Sequence, residues 1–86
     1  MKKFLVEVVV KRKDGVADPE GNTIYEALTR LGNVEVKSVK AAKLFLLEID
    51  VDSTAQAKEI GQDVAEKVLA NPVIEDFRLL DIEELE

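Results

Sequence analysis

The run Phe4-Leu5-Val6-Glu7-Val8-Val9-Val10-Lys11 constrains this chain more than any other segment. Its side chains alternate with period two. Phe4, Val6, Val8 and Val10 fall on one face, and Leu5, Glu7, Val9 and Lys11 on the other. Three valines in a row favour extended backbone, because a β-branched side chain packs well on a pleated surface. The second face is itself half apolar, so the segment reads as a central strand with neighbours on both edges. A chain of 86 residues built on such a strand is one small domain, 1–86.

The following elements alternate in period. Arg12 to Ala17 reads as a loop broken at Asp14-Gly15. Asp18-Pro19 opens a helix: the carboxylate can accept a free backbone N–H, and proline at the first helical position gives up no hydrogen bond. Ile24, Ala27, Leu28 and Leu31 make one apolar stripe, and Gly32 suits the residue just past the helix end. Val34-Glu35-Val36 is expected to start a second strand, with a phase slip before Val39 marking a bulge. Ala41-Ala42 is expected at a hairpin tip. Leu44 to Val51 is a third strand with Phe45, Leu47, Ile49 and Val51 on one face. Ser53 and Gln56 form a capping box. A second helix carries Ala57, Ile60, Gly61, Val64, Ala65 and Val68 on one stripe and stops near Asn71-Pro72. Val73 to Ile82 is a fourth strand, and Glu83 to Glu86 a frayed acidic end.

The order is βαββαβ. It predicts an α+β, ferredoxin-like domain: a four-stranded antiparallel sheet with two helices on one face. The right-handed crossover rule gives strand order 4-1-3-2. With Phe4 and Phe45 toward the helices, Leu5, Val9, Leu44 and Leu46 lie on the open face. That much apolar surface is normally covered, and a second copy of the chain is the economical cover. At least a dimer is expected, with a tetramer open.

Composition removes most chemistry. The chain has neither cysteine nor histidine. Thiolate nucleophiles, disulfides, Cys/His metal sites and the Ser-His-Asp arrangement are therefore out. No catalytic, cofactor-binding or metal-ligating set is expected. Asp50/Asp52 and Glu75-Asp76 are acid pairs; Glu75 and Asp76 are strand neighbours that point to opposite faces, only Asp50 and Asp52 share a side, and both pairs read as surface charge. The charge is polarised: residues 1–43 hold nine Lys/Arg against six acids, residues 44–86 three against twelve, for a net of −6. An acidic domain is a poor ligand for phosphate backbones, so no nucleic acid is expected. No apolar run approaches the roughly 20 residues a membrane span needs. The start reads straight into the first strand, with no leader, and a cytoplasmic setting is expected. The basic groups Lys11, Arg12, Lys13 and Lys37, Lys40, Lys43 are expected on separate parts of the sheet.

Two readings of the first loop remain from the residues alone. An acylphosphatase-like phosphate cradle would use Arg12 but lacks lining glycines. A stand-alone regulatory domain of the ACT type, binding a small ligand at a dimer interface, would want a glycine-rich turn where only Gly15 stands.

Three segments together resemble the PurS family, the small subunit of phosphoribosylformylglycinamidine synthase. Gly15-Val16-Ala17-Asp18-Pro19-Glu20-Gly21 is similar to its G-V-x-D-P-x-G stretch. Val36 to Lys43 resembles its V-x-x-V-R-x-G-K segment, with Lys40 in place of Arg and Ala42 in place of Gly. Leu69 to Phe77 is close to its L-A-N-P-V-I-E-D-Y stretch. The resemblance implies a non-catalytic subunit in de novo purine synthesis. It would assemble a glutaminase subunit, PurQ, with an ATP-dependent synthetase subunit, PurL, and help ammonia pass between them. ATP and Mg²⁺ would belong to the synthetase, with no cofactor in this chain. Lys11, Arg12, Asp14, Glu20, Asn22 and Lys43, polar residues beside the shared turns, are the expected partner contacts.

Overall fold

The computed structural model describes residues 1–85. Strand β1 (Lys2–Arg12) is followed by helix α1 (Pro19–Arg30), strand β2 (Ala42–Val51), helix α2 (Thr54–Val64) and strand β3 (Glu75–Leu85). The sheet has three antiparallel strands in the order β2-β1-β3. The expected four-stranded sheet is therefore wrong by one strand. Residues 31–41, read as a strand and hairpin tip, form a turn and an irregular return segment. Val34 and Val36 do alternate, but the pattern is too short to hold an edge strand. The chain there is tied to α1 instead.

The core lies on one side of the sheet. Phe4, Val6, Val8 and Val10 are fully buried, together with Ala57, Ala65 and Ala70. Cross-strand pairing sets their partners on the same face: Val6 lies between Leu47 and Ile82, and Val8 between Phe45 and Leu79. A bulge between Glu7 and Val8 inserts Leu80 into β3 and restores the apolar phase beyond it. β3 runs on to Leu85, where fraying was expected, because Leu5 and Lys3 still offer it pairing partners. Glu86 lies outside the described residues.

Helix α2 approaches the sheet through small residues. A Cβ on Gly61 would sit 3.0 Å from Val6 Cγ1 and 3.4 Å from Leu79 Cδ2. Ser53 Oγ accepts the Gln56 N–H at 3.2 Å, and the Gln56 amide oxygen accepts the Asp52 N–H at 2.9 Å, so the cap reaches one residue further back than the usual box. The last turn, Ala65–Leu69, is π-helical and closes with Ala70 N–H donating to Ala65 C=O at 2.9 Å. A π turn holds more residues than an α turn. Val68 consequently lags behind the stripe predicted for it and is 74% exposed.

Helix α1 departs furthest from expectation. Both helices were expected on one sheet face, but no residue of α1 belongs to the core or packs against it. The helix itself is well built. Asp18 caps it, Pro19 starts it, and it ends in a Schellman motif. There Asn33 N–H donates to Leu28 C=O at 3.0 Å and Gly32 N–H to Thr29 C=O at 3.1 Å. Gly32 takes φ +87°, a left-handed conformation that glycine adopts without strain. The radius of gyration is 16.4 Å. A compact chain of this length would give about 12 Å. The Cα trace extends 52 Å along its longest axis and 14 Å along its shortest.

Candidate interaction surface

Where β1 ends, α1 begins and β2 starts, three segments are locked by one carboxylate. Asp18 Oδ1 accepts the Gly21 N–H at 3.0 Å, and Asp18 Oδ2 accepts the Ala41 N–H at 2.9 Å. These two donors, Gly21 first, hold the Asp18 carboxyl below the usual aspartate range. Gly21 is buried beneath the return segment. A Cβ there would stand 2.5 Å from the Val39 carbonyl oxygen, so only glycine admits that crossing. Arg12 Nη1 donates to Ala17 C=O at 2.6 Å and braces the loop. Lys40 pairs with Asp14, and its hydrogen bond and charge depress the Asp14 carboxyl. Lys13 N–H donates to Ile74 C=O at 2.8 Å, tying the loop to the approach of β3.

The second shared motif is also a turn. Asn71 Oδ1 accepts the Val73 N–H at 3.0 Å, and Asn71 C=O accepts the Glu75 N–H at 2.7 Å. Glu75 Oε1 accepts the Asn71 N–H at 2.8 Å. Asp18, Gly21 and Asn71 thus work as local structure. Asp18 was legible as a cap, but its bond across to Ala41 was not. The clue to Gly21 was a glycine within the first helical turn, where helix propensity gives no reason for one.

Of the six expected contact residues, Lys11, Arg12, Glu20 and Lys43 line one shallow cleft of about 130 Å³, with Asp18 and Glu75 beside them. Asp14 lies in the adjoining depression with Arg12 and Lys40. Asn22 is exposed on α1 and lines neither. The expected separation of the basic groups fails for Lys40, which shares a depression with Arg12 and Lys13, and for Lys43. Val10 pairs with Lys43 and Lys11 with Ala42, so β1 and β2 bring these cations to one end of the sheet. The open sheet face is as predicted: Leu44 and Leu46 are 53% and 59% exposed. Among the described residues, no three acids converge as a metal site, and no helix is long and apolar enough to cross a membrane.

Residues 5–83 match the family described as PurS: Phosphoribosylformylglycinamidine (FGAM) synthase. The chain belongs to the PurS family. It is 38% identical over 77 residues to the phosphoribosylformylglycinamidine synthase subunit PurS of Archaeoglobus fulgidus, covering 90% of this chain and 96% of that one. The solved Thermus thermophilus PurS superposes with a TM-score of 0.88 at 26% identity, over 98% of this chain and 99% of that one. A chain in the structure of PurLQS from Thermotoga maritima gives 0.81 at 30% identity, over 99% and 100%. The PurS fold, rather than a complete four-stranded ferredoxin-like sheet, is thus the frame of this chain.

Proposed function

We propose that this chain is the non-catalytic PurS subunit of a phosphoribosylformylglycinamidine synthase in de novo purine synthesis. It assembles the synthetase subunit PurL with the glutaminase subunit PurQ and aids ammonia transfer between them, in the cytoplasm. Residues 1–86 act as one unit, and the chain works as a dimer or tetramer. The observation that carries this reading is the family match across residues 5–83, with a relative of the same fold in the PurLQS assembly. ATP and Mg²⁺ act in the synthetase, and this chain holds no cofactor of its own. The cleft between Lys11, Arg12, Glu20 and Lys43 is a partner contact, with Asp14 in the adjoining depression and Asn22 exposed on α1 as further contacts.

The test is reconstitution. Glutamine-dependent product should form when synthetase, glutaminase and this chain are mixed, and should be lost when this chain is left out. The two large subunits reaching the full glutamine-dependent rate alone would refute the assembly role.

A further inference from the structure

One aspartate of this chain is followed by glycine, at Asp14-Gly15. The other six are followed by Pro19, Val51, Ser53, Val64, Phe77 and Ile82. The setting of Asp14 is equally distinct. Its side chain is 90% exposed, in the loop between β1 and α1. Gly15 has no neighbour within 4 Å of where a Cβ would stand, and its N–H makes no backbone hydrogen bond among the described residues. An open backbone nitrogen next to an exposed carboxyl is what attack of the chain on its own side chain requires. Two contacts oppose that attack. Val16 N–H donates to Lys13 C=O at 3.1 Å and Gly15 takes φ +85°, which makes Lys13–Val16 a type II turn. The extended ψ of the first central residue in such a turn carries the next nitrogen away from that residue's Cβ, and so from its carboxyl. Lys40 Nζ also holds Asp14 Oδ1 in a hydrogen-bonded ion pair. With Lys11 behind it, Lys40 keeps the carboxyl charged, and a carboxylate is a poor electrophile because it would have to expel oxide. Lys40 is itself set between two fixed residues: Val39 lies over Gly21, and Ala41 is bonded to Asp18.

We infer that Asp14-Gly15 is a site of spontaneous isomerisation to isoaspartate, and that the Lys40 ammonium guards it. When the turn opens and Lys40 lets go, the Gly15 nitrogen attacks Asp14 Cγ and gives up its proton, and the carboxyl hydroxyl leaves as water. The product is a cyclic succinimide. Water then adds to one of its two carbonyls. Addition at Cγ restores aspartate. Addition at the Asp14 main-chain carbonyl breaks its bond to the Gly15 nitrogen. The chain then runs through Cβ and Cγ, with a free carboxylate on Cα. One water leaves and one returns, nothing is oxidised or reduced, and water is the only co-reactant. The new link adds a methylene to the backbone of the turn and puts the carboxylate on a shorter arm. The Val16–Lys13 hydrogen bond and the Lys40 pair were both set by the original spacing. The same loop, with Arg12, Lys13 and Lys40, lines the depression beside the contact cleft, so a converted loop shows the larger subunits a different surface. That consequence rests on the assembly role; the isomerisation does not.

The test is ageing of the intact chain in neutral buffer at physiological temperature. Isoaspartate is read by enzymatic methyl transfer to its free carboxylate, and its position by peptide mapping. It should accumulate at Asp14 and not at the six other aspartates. Lys40→Gln should raise the rate several-fold. Lys40→Arg, which keeps a charged donor, should stay near the parent rate. The parent chain held in denaturant, where turn and ion pair are both gone, should react faster than any folded chain. Asp14→Glu should abolish the signal, because its longer arm does not close the same ring. Thermal unfolding of each variant shows that the chains compared are folded. Equal rates for the folded parent and folded Lys40→Gln would overturn the guard. Label spread over the other aspartates, or none at Asp14 in the folded chains, would overturn the site. Chain enriched in isoaspartate should associate more slowly with synthetase and glutaminase than fresh chain does, and equal rates would overturn the consequence. Failure of fresh chain to associate would instead refute the assembly role, which the isomerisation does not need.

Discussion

Strand β1 and helix α1 carry equally regular apolar patterns, and their fates differ completely. Phe4, Val6, Val8 and Val10 are at most 1% exposed, whereas Leu31 of the α1 stripe is 77% exposed. Periodicity says which side of an element is apolar. It does not say which molecule supplies the cover. β1 sits between two strands and under α2, so its own chain covers it. α1 is pinned at its start by Asp18 and Gly21, and its own chain leaves Ile24 and Leu31 exposed.

The largest expected effect tests this contrast directly. Phe4→Ala removes a fully buried ring and should destabilise the fold by about 3–5 kcal/mol. Leu31→Ala should change the stability of the isolated chain by no more than about 0.5 kcal/mol, as exposed substitutions do. Chemical denaturation at low protein concentration, where association does not contribute, measures both. Comparable losses from the two would mean that α1 is covered within its own chain.

Gly21→Ala comes next. The added methyl meets a backbone carbonyl, which cannot rotate away, so the return segment must shift. Overpacking of this kind costs about 1–3 kcal/mol, against a helix-propensity gain of roughly 1 kcal/mol. A net loss on thermal unfolding, with hydrogen exchange rising at Ala41, is the expected result. Stabilisation would show that residues 36–41 are loosely held and that α1 is free to move.

These two regions also show what was legible in the sequence. β1 and β2 had alternation over eight residues, while β3 alternates only on either side of its bulge at Leu80. The caps at Asp18 and Ser53, and the stop at Asn71-Pro72, were readable because capping chemistry is local. The segment Val34–Val39 looked like a strand because two valines alternate, but Val34 and Val36 donate to Gly32 and Asn33 in the turn after α1, and Val39 packs over Gly21, contacts to which propensity is blind. Lys43 was misplaced because it was read with the second strand and its hairpin, whereas β2 begins at Ala42 and pairs Lys43 with Val10; the adjacency of Leu44–Val51 to β1 was already expected. The cleft joining Lys11, Arg12, Glu20 and Lys43 therefore needed the register. The π turn left no sequence mark, and with it the exposure of Val68 was hidden.

Acid should loosen the α1 end before the sheet. Asp18 has a depressed carboxyl, because two backbone N–H groups favour its charged form. A lowered folded-state pKa contributes stability that is present above the unfolded value of about 3.9 and is lost as pH falls through the folded value. Asp14 behaves alike through Lys40. Protonation removes the hold on Ala41, so amide exchange at Gly21 and Ala41 should accelerate below about pH 4 ahead of exchange at Val6 or Val8. Asp18→Asn should abolish this pH step while retaining part of the cap. Simultaneous acid loss in both regions would mean that the corner and the sheet unfold as one unit.

The smallest effect on folding, and a selective one on assembly, is expected at Lys11 and Lys43. Both are exposed, and neither makes an ion pair among the described residues. Neutralising them to Gln is preferable to reversing them. Lys11 pairs across the strand with Asp76, and a glutamate there would add repulsion inside the fold. Arg12 is left alone because it braces Ala17. Stability should stay within about 0.5 kcal/mol of the parent. If the cleft meets an acidic partner surface, the double substitution should slow association with synthetase and glutaminase, leaving dissociation nearly unchanged, as charges at an interface rim do. The difference should shrink with added salt, since the screening length falls from about 10 Å at 0.1 M to about 3 Å at 1 M. Association measured against salt for both chains decides the point. Equal rates at low salt would take this cleft out of the interface and leave the open sheet face, with Leu44 and Leu46, as the surface that meets the larger subunits.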